Sequence, residues 1–249
     1  MKEICLLIVL THLAFPAFEN AFKFQYLVSN LPNIQDSVQI SQNKKSVSLI
    51  LPFGQPYLKL ASLNYSHPFS YGTYEIYMVT TGDKLYQEIM LENKFEFPLH
   101  PHYKLAGLLN TYLISIENYS SHHSLSAGLR LKYSNSDHLS YFIEYKNGYF
   151  LTQSSLSKDI PELIHISVFH GNKRNRFVYS LVKDLLYPLD YQIFWKNTLH
   201  PNLAINFGII SSSKELMVGC DFFIGNISPQ IFILHHSNLG ITYGFKIIF

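Results

Sequence analysis

The histidines are the first residues of this chain to test for chemistry: there are 12, and six of them form the groups His100-Pro101-His102, His122-His123 and His235-His236. Imidazoles hold zinc or copper when several converge with cysteine or carboxylate on one point. Neighbouring residues of a strand point to opposite faces, so neither His-His pair chelates from a single strand. With no cysteine or carboxylate to complete a ligand set, these histidines are expected to be polar rim residues, with no metal site. Ser121 beside His122 and Ser237 beside His236 have the types of a nucleophile and its base. They would suit a hydrolase acting at a membrane rim, but nothing like Gly-x-Ser-x-Gly accompanies them, and no Walker or dinucleotide glycine motif occurs. The sequence therefore predicts no enzyme and no cofactor.

The charged residues say more. Glu88, Glu92 and Glu96 fall on one face of one extended run. Arg130, Lys132, Glu144, Lys146, Arg176, Asp190, Lys196, Asp221 and Lys246 occupy the polar phase of later runs. If the apolar phase meets lipid, all of these must face a lumen, because Arg or Lys on the lipid face costs about 2–4 kcal/mol at the bilayer midplane. Their mixed signs predict pairing across the interior rather than a selectivity ring of one sign. A polar conduit that selects a solute is the functional alternative.

The elements that would position these charges are strands. From about residue 46, large apolar residues recur at every second position in runs separated by turn residues. In the last run Ile241, Tyr243, Phe245, Ile247 and Phe249 alternate with Gly240, Thr242, Gly244 and Lys246. Leu125, Ala127, Leu129, Leu131 and Tyr133 likewise oppose Ser124, Ser126, Gly128, Arg130 and Lys132. In the run after it, Phe142 is the exception on the polar face. A soluble sandwich also alternates. These runs, however, approach the 9–11 residues that a tilted strand needs to cross a bilayer, and aromatics sit at their ends as in interfacial girdles.

The expected runs are 46–51, 57–66, 72–80, 84–97, 102–116, 123–133, 138–147, 163–170, 175–183, 189–197, 202–210, 215–224, 228–236 and 240–249. The fold is therefore expected to be all-β: a transmembrane antiparallel barrel of about fourteen strands, with twelve as the fallback. The run at 102–116 slips phase around Asn110, which predicts a bulge. Counting back from Phe249 places the longest connection, between Gly148 and Leu163, at the external end.

Composition agrees with this class. Of 249 residues, 47% are hydrophobic and 15% aromatic, only 14% are charged, and the net charge is +2. Such a chain has neither the polarity of a disordered protein nor the basic excess of a nucleic-acid partner. Met1-Lys2, the apolar stretch Ile4 to Leu10 and the small residues around Ala14 and Ala17 predict a signal peptide over 1–21. Cys5 lies at the start of that core, so lipidation is not expected. Removing the signal leaves Cys220 alone, with no intramolecular disulfide available.

The alternating Tyr243, Phe245, Ile247 and Phe249 resemble the C-terminal signal read by the machinery that inserts outer-membrane barrels. Ile227 to Phe249, with His235-His236-Ser237-Asn238-Leu239-Gly240-Ile241-Thr242, resembles the last hairpin of the PorV/PorQ-like outer-membrane proteins, relatives of the FadL-type barrels. Gly82-Asp83-Lys84-Leu85-Tyr86-Gln87-Glu88 is similar to a hairpin turn of that family. Ile160-Pro161 before Leu163 resembles its approach to a strand, and Tyr145-Lys146-Asn147 the end of the strand before an external loop. The resemblance spans about 57–249. It lacks the family's N-terminal Asn-Pro-Ala, since residues 22–45 hold Leu31-Pro32-Asn33 instead.

The resemblance implies a Gram-negative outer-membrane location and a barrel over 46–249, preceded at 22–45 by a periplasmic, hatch-like segment. It further implies a role in transport of small or hydrophobic solutes or as a secretion-apparatus anchor. The expected partners are outer-membrane lipid, the insertion machinery, and a secretion complex or hydrophobic solute. A non-conducting structural barrel is the alternative.

Overall fold

The computed structural model describes residues 44–249 except 56–57, 120, 137, 153–154, 173, 185–188 and 212–213. The expected signal peptide and nearly all of the hatch-like segment lie outside the described residues. Fourteen strands follow one another: β1 (Lys44–Leu51), β2 (Leu60–Phe69), β3 (Gly72–Gly82), β4 (Tyr86–His100), β5 (Tyr103–Ile116), β6 (His122–Ser136), β7 (Leu139–Phe150), β8 (Leu163–Gly171), β9 (Asn175–Asp184), β10 (Asp190–His200), β11 (Leu203–Ile210), β12 (Glu215–Phe222), β13 (Ser228–His236) and β14 (Gly240–Ile248). Each pairs antiparallel with its sequence neighbours, and β1 pairs with β14, so the sheet is a closed barrel. At that seam Lys45 N donates to Phe249 O at 3.1 Å and Phe249 N to Lys45 O at 2.9 Å.

Alternation gives the wall two faces. Outward residues such as Val47, Leu49, Leu131, Ile143, Leu181, Ile193, Ile209, Val218, Ile233 and Phe245 are exposed. Inward residues such as Ser48, Ser62, Glu92, Ser126, Glu144 and Gln230 are buried. An apolar band of this extent would not be stable in water and suits the hydrocarbon of a bilayer. Near one end, cross-strand aromatics pack along the outside: Tyr103, Tyr133 and Tyr141 at successive centroid spacings of 4.9 Å. Among the described residues no helix is long and apolar enough to cross a membrane; crossing falls to the strands.

The two barrel ends differ. The end holding the start of β1 and the end of β14 carries the connections 70–71, 101–102, 137–138, 172–174, 201–202 and 223–227, and is called the turn end below. The opposite, loop end carries the longest connection, 151–162. Side chains set several of these reversals. Asp83 Oδ1 accepts from the backbone N of Leu85 at 2.8 Å and of Tyr86 at 3.3 Å, next to Gly82 at a φ of 99°. Asn172 does the same for Arg174 and Asn175, both at 2.9 Å.

Two local expectations are corrected. No bulge interrupts β5 at Asn110, because the register to β6 runs unbroken from Tyr103 to Ile114. The apparent slip arises because β5 is apolar on both faces: Leu108, Tyr112 and Ile114 point inward and are buried, while Leu109 and Leu113 point outward. Nor does β7 end at Asn147. It continues to Phe150 through an irregularity facing Ala127 and Leu129 of β6, with Asn147 at a φ of 59°.

Candidate functional site in the barrel interior

That irregularity shapes the interior. A regular strand would send Lys146 and Asn147 to opposite faces, yet both are fully buried inside. Asn147 Oδ1 accepts from Asn110 Nδ2 at 3.0 Å, Tyr112 Oη at 2.7 Å and Ser126 Oγ at 2.6 Å. Its Nδ2 donates to the carbonyl of Pro161 at 2.8 Å. One side chain thus ties β5, β6 and β7 to the end of the long loop. The Asn147-Gly148 dipeptide was the sequence signal for this break, being a turn pair inside an alternating run.

Ion pairs fill much of the middle and the turn-end half. Lys146 pairs with Glu92, Arg130 with Glu144, Lys94 with Glu75 and Lys196 with Asp221, while Lys104 Nζ lies 3.1 Å from Glu96 Oε1. Asn206 Nδ2 donates to the second Asp221 oxygen at 2.5 Å. The Arg130 guanidinium also lies 4.5 Å from the Phe142 ring centroid, which explains why an aromatic stands on the polar face of β7. Charges shielded this well are tolerable only when paired and hydrogen-bonded.

Of the residues singled out in the sequence, Glu92, Arg130, Glu144, Lys146, Lys196 and Asp221 are drawn into these pairs. Lys246 is buried on the inner face of β14, and Lys132 faces inward across from Lys104. Arg176 turns its Nε to the carbonyl of Asn172 in its own hairpin at 3.2 Å. Glu88 accepts from Tyr86 Oη at 2.6 Å, and Asp190 is held by Gln192 and Ser211 near the loop end. Tyr243, Phe245, Ile247 and Phe249 lie on the outward face. Lys94, Glu75, Lys104 and the buried Glu215 were not singled out in the sequence. The parity of Lys94 with Glu92 and Glu96 was enough to find it.

The loop-end half is built differently. Ile50, Leu60, Val79, Met90, Ile114, Ile210, Met217 and Leu234 point inward there and form one buried apolar cluster. Leu156 and Ile160, from the described part of the long loop, join it as a roof. Lower on the β10–β14 wall, glycines make room for flat rings. A Cβ on Gly208 would meet the Phe194 ring at 2.5 Å, and one on Gly244 would meet the Phe232 ring at 2.0 Å. Lipid-facing apolarity masks this second apolar set in the sequence, because both belong to the same strands.

The histidine groups fall at the rims: His100 and His102 at the turn end, and the 122–123 and 235–236 pairs at the loop end. Among the described residues, no three His, Cys, Asp or Glu side chains are grouped to hold a metal ion.

Comparison with known proteins places this architecture. No family model matches the chain, and no curated protein matches it. Among solved structures it is similar to Omp33, an outer membrane protein of Acinetobacter baumannii, with a TM-score of 0.55 at 10% identity over 84% of this chain and 97% of that one. CymD, a monoaromatic hydrocarbon channel, gives 0.56 at 8% identity over 83% and 85%. The P. putida toluene transporter TodX gives 0.51 at 7% identity over 83% and 87%. Identities this low speak for the fold, and the fold is that of an outer-membrane β-barrel.

Proposed function

We propose that the protein is an outer-membrane barrel of the FadL-like class that takes up small hydrophobic solutes, with its turn end toward the periplasm. The observation that carries this reading is the buried apolar cluster at the loop end, formed by inward residues such as Met90, Ile210, Met217 and Leu234 and covered by Leu156 and Ile160. A wall that served only to exclude solute could be completed with paired charges, as the turn-end half is. An apolar interior beneath the loop-end rim offers a hydrophobic molecule contacts out of water once the covering loop gives way. The fold shared with a hydrocarbon channel supports the same reading.

The test is uptake of a monoaromatic hydrocarbon such as toluene into vesicles carrying the refolded barrel, with folding checked by migration on SDS gels before and after boiling. Uptake above that of empty vesicles, reduced by Met217→Glu, is expected. Uptake no faster than that of empty vesicles, with a barrel that still shifts on boiling, overturns transport.

The second reading is a non-conducting barrel that anchors or scaffolds a partner such as a secretion apparatus. The mutual pairing of the interior charges favours it, because a network that joins β4 to β7 and β10 to β12 stiffens the wall. Planar-bilayer recordings separate the two readings, since a conducting path gives current steps and a plugged barrel gives none.

A further inference from the structure

The outward wall carries an amide at a depth where lipid offers nothing to bond. Asn93 is the central residue of the 15-residue β4 and points away from the interior, between the buried Glu92 and Lys94. Around it on that face stand Ile76 of β3, Leu91 and Phe95 of β4 and Leu109 of β5. The Tyr74 ring stacks on Phe95 at a centroid spacing of 4.6 Å, and its hydroxyl donates to Asn93 Oδ1 at 2.6 Å. Among the described residues, none accepts from Asn93 Nδ2. The other outward amides among the described residues lie near the barrel ends and are engaged. Gln87 donates to Thr80 Oγ1 at 3.1 Å at the loop end, and Asn197 donates to Asn175 beside a turn-end hairpin.

A hydrocarbon chain accepts no hydrogen bond, so an N–H at this depth is costly unless another protein surface meets it. Headgroups and water lie half a strand away in either direction. The partner must therefore bring an acceptor at the same depth. A second copy of this chain does so, because every copy enters the membrane with one orientation. Two copies related by a two-fold axis along the membrane normal hold their Asn93 side chains at one level, where each can face the other. The contact is self-complementary. An amide oxygen accepts twice, and Tyr74 fills one of those positions, which leaves the second for the Nδ2 of the other copy. Such an axis also sets β5 of one copy against β3 of the other. Room exists there: Gly107 lies on the outward side of β5, and a Cβ on it would meet nothing within 4 Å.

We propose that the protein forms a two-fold dimer in the membrane through the outward face of β3 to β5, with the two Asn93 amides bonded reciprocally on the axis. Tyr74 is the positioning residue. Held against Phe95, it fixes the Asn93 carbonyl and turns Nδ2 toward the second copy. The surrounding Ile76, Leu91 and Leu109 supply apolar contact, and the amide pair sets which faces meet, since lipid-facing side chains alone distinguish poorly between neighbours and lipid.

The test co-expresses two full-length copies with different affinity tags, releases the outer membrane in mild detergent, captures one tag and measures recovery of the other. Wild type should carry the second tag through. Asn93→Leu, which suits lipid and should keep the boiling shift, is expected to lower that recovery about tenfold, the scale of a polar contact inside a membrane. Wild-type recovery no higher than from separately expressed samples mixed after release overturns the dimer. Unchanged recovery in Asn93→Leu overturns this face. Geometry is read separately by cross-linking in a Cys5→Ala/Cys220→Ala chain, since Cys220 is free. Asn93→Cys on the axis should give an oxidant-dependent band of twice the mass, and Ile143→Cys on β7 should not. No such band, or equal bands from both, overturns the proposal. If Asn93→Leu shows no boiling shift, the cross-link decides.

Discussion

Lys146 and Glu92 lie 54 residues apart in sequence and on strands separated by two others, yet they meet as an ion pair inside the barrel, with the lysine side chain fully shielded. Lys146 keeps the inward parity of Phe142 and Glu144, and the break in alternation follows it at Asn147. A buried pair of this kind contributes less to net stability than its removal by halves would suggest, since both charges were taken out of water to form it.

Replacing only one partner should therefore be worse than replacing both. Lys146→Met leaves the Glu92 carboxylate without its ammonium and is expected to destabilise the barrel by about 3–5 kcal/mol. Glu92→Gln/Lys146→Met should recover most of that loss. Denaturant unfolding in lipid vesicles, followed by the boiling-sensitive gel shift, measures both.

Asn147 supplies the acceptor for three buried donors and the donor for the Pro161 carbonyl. Asn147→Ala should cost about 1–3 kcal/mol for the unsatisfied groups and release the end of the long loop. Faster tryptic cleavage after Lys158 in intact membranes, with the barrel still resistant, is the expected signature.

Gly244 is needed because the Phe232 ring lies flat against it. Gly244→Ala should destabilise by about 1–3 kcal/mol through overpacking, and Phe232→Leu should relieve most of this in the double variant. Additive losses would show that the ring and the glycine do not depend on each other.

The outward face has its own test. Ile143 stands exposed midway along β7, so Ile143→Lys should cost about 2–4 kcal/mol in a bilayer. The loss should shrink for substitutions nearer the ends, such as Leu139→Lys. A cost near zero at both sites would show that this face does not meet hydrocarbon.

The strand number and nearly every strand position were legible because one physical rule, alternation across a two-faced wall, governs the whole chain. The rule became unreadable where both faces take the same kind of residue. Along β5, Leu108 and Tyr112 inside and Leu109 and Leu113 outside read as a loss of phase at Asn110, although the ladder there is regular. The inward charges could be placed from parity, but their partners could not, because Lys146 with Glu92 and Lys196 with Asp221 join strands that are not adjacent. The inward apolar cluster stayed hidden for the same reason as the phase of β5: an inward Met90 and an outward Leu91 look alike in sequence.

The seam between β1 and β14 is the one ladder whose strands share no turn. Every other pair closes over a connection of twelve residues or fewer, whereas Lys45 and Phe249 must find each other across almost the whole barrel chain. Loop-closure entropy grows only logarithmically, so joining ends about ten times further apart than those of a hairpin costs only about 2 kcal/mol more. The larger difficulty is kinetic. Until that last zip, the growing sheet displays two raw borders, each a row of unmet amides and carbonyls ready to capture a neighbouring molecule. A chain of this design needs chaperoning up to the moment its first and last strands clasp, and little afterwards.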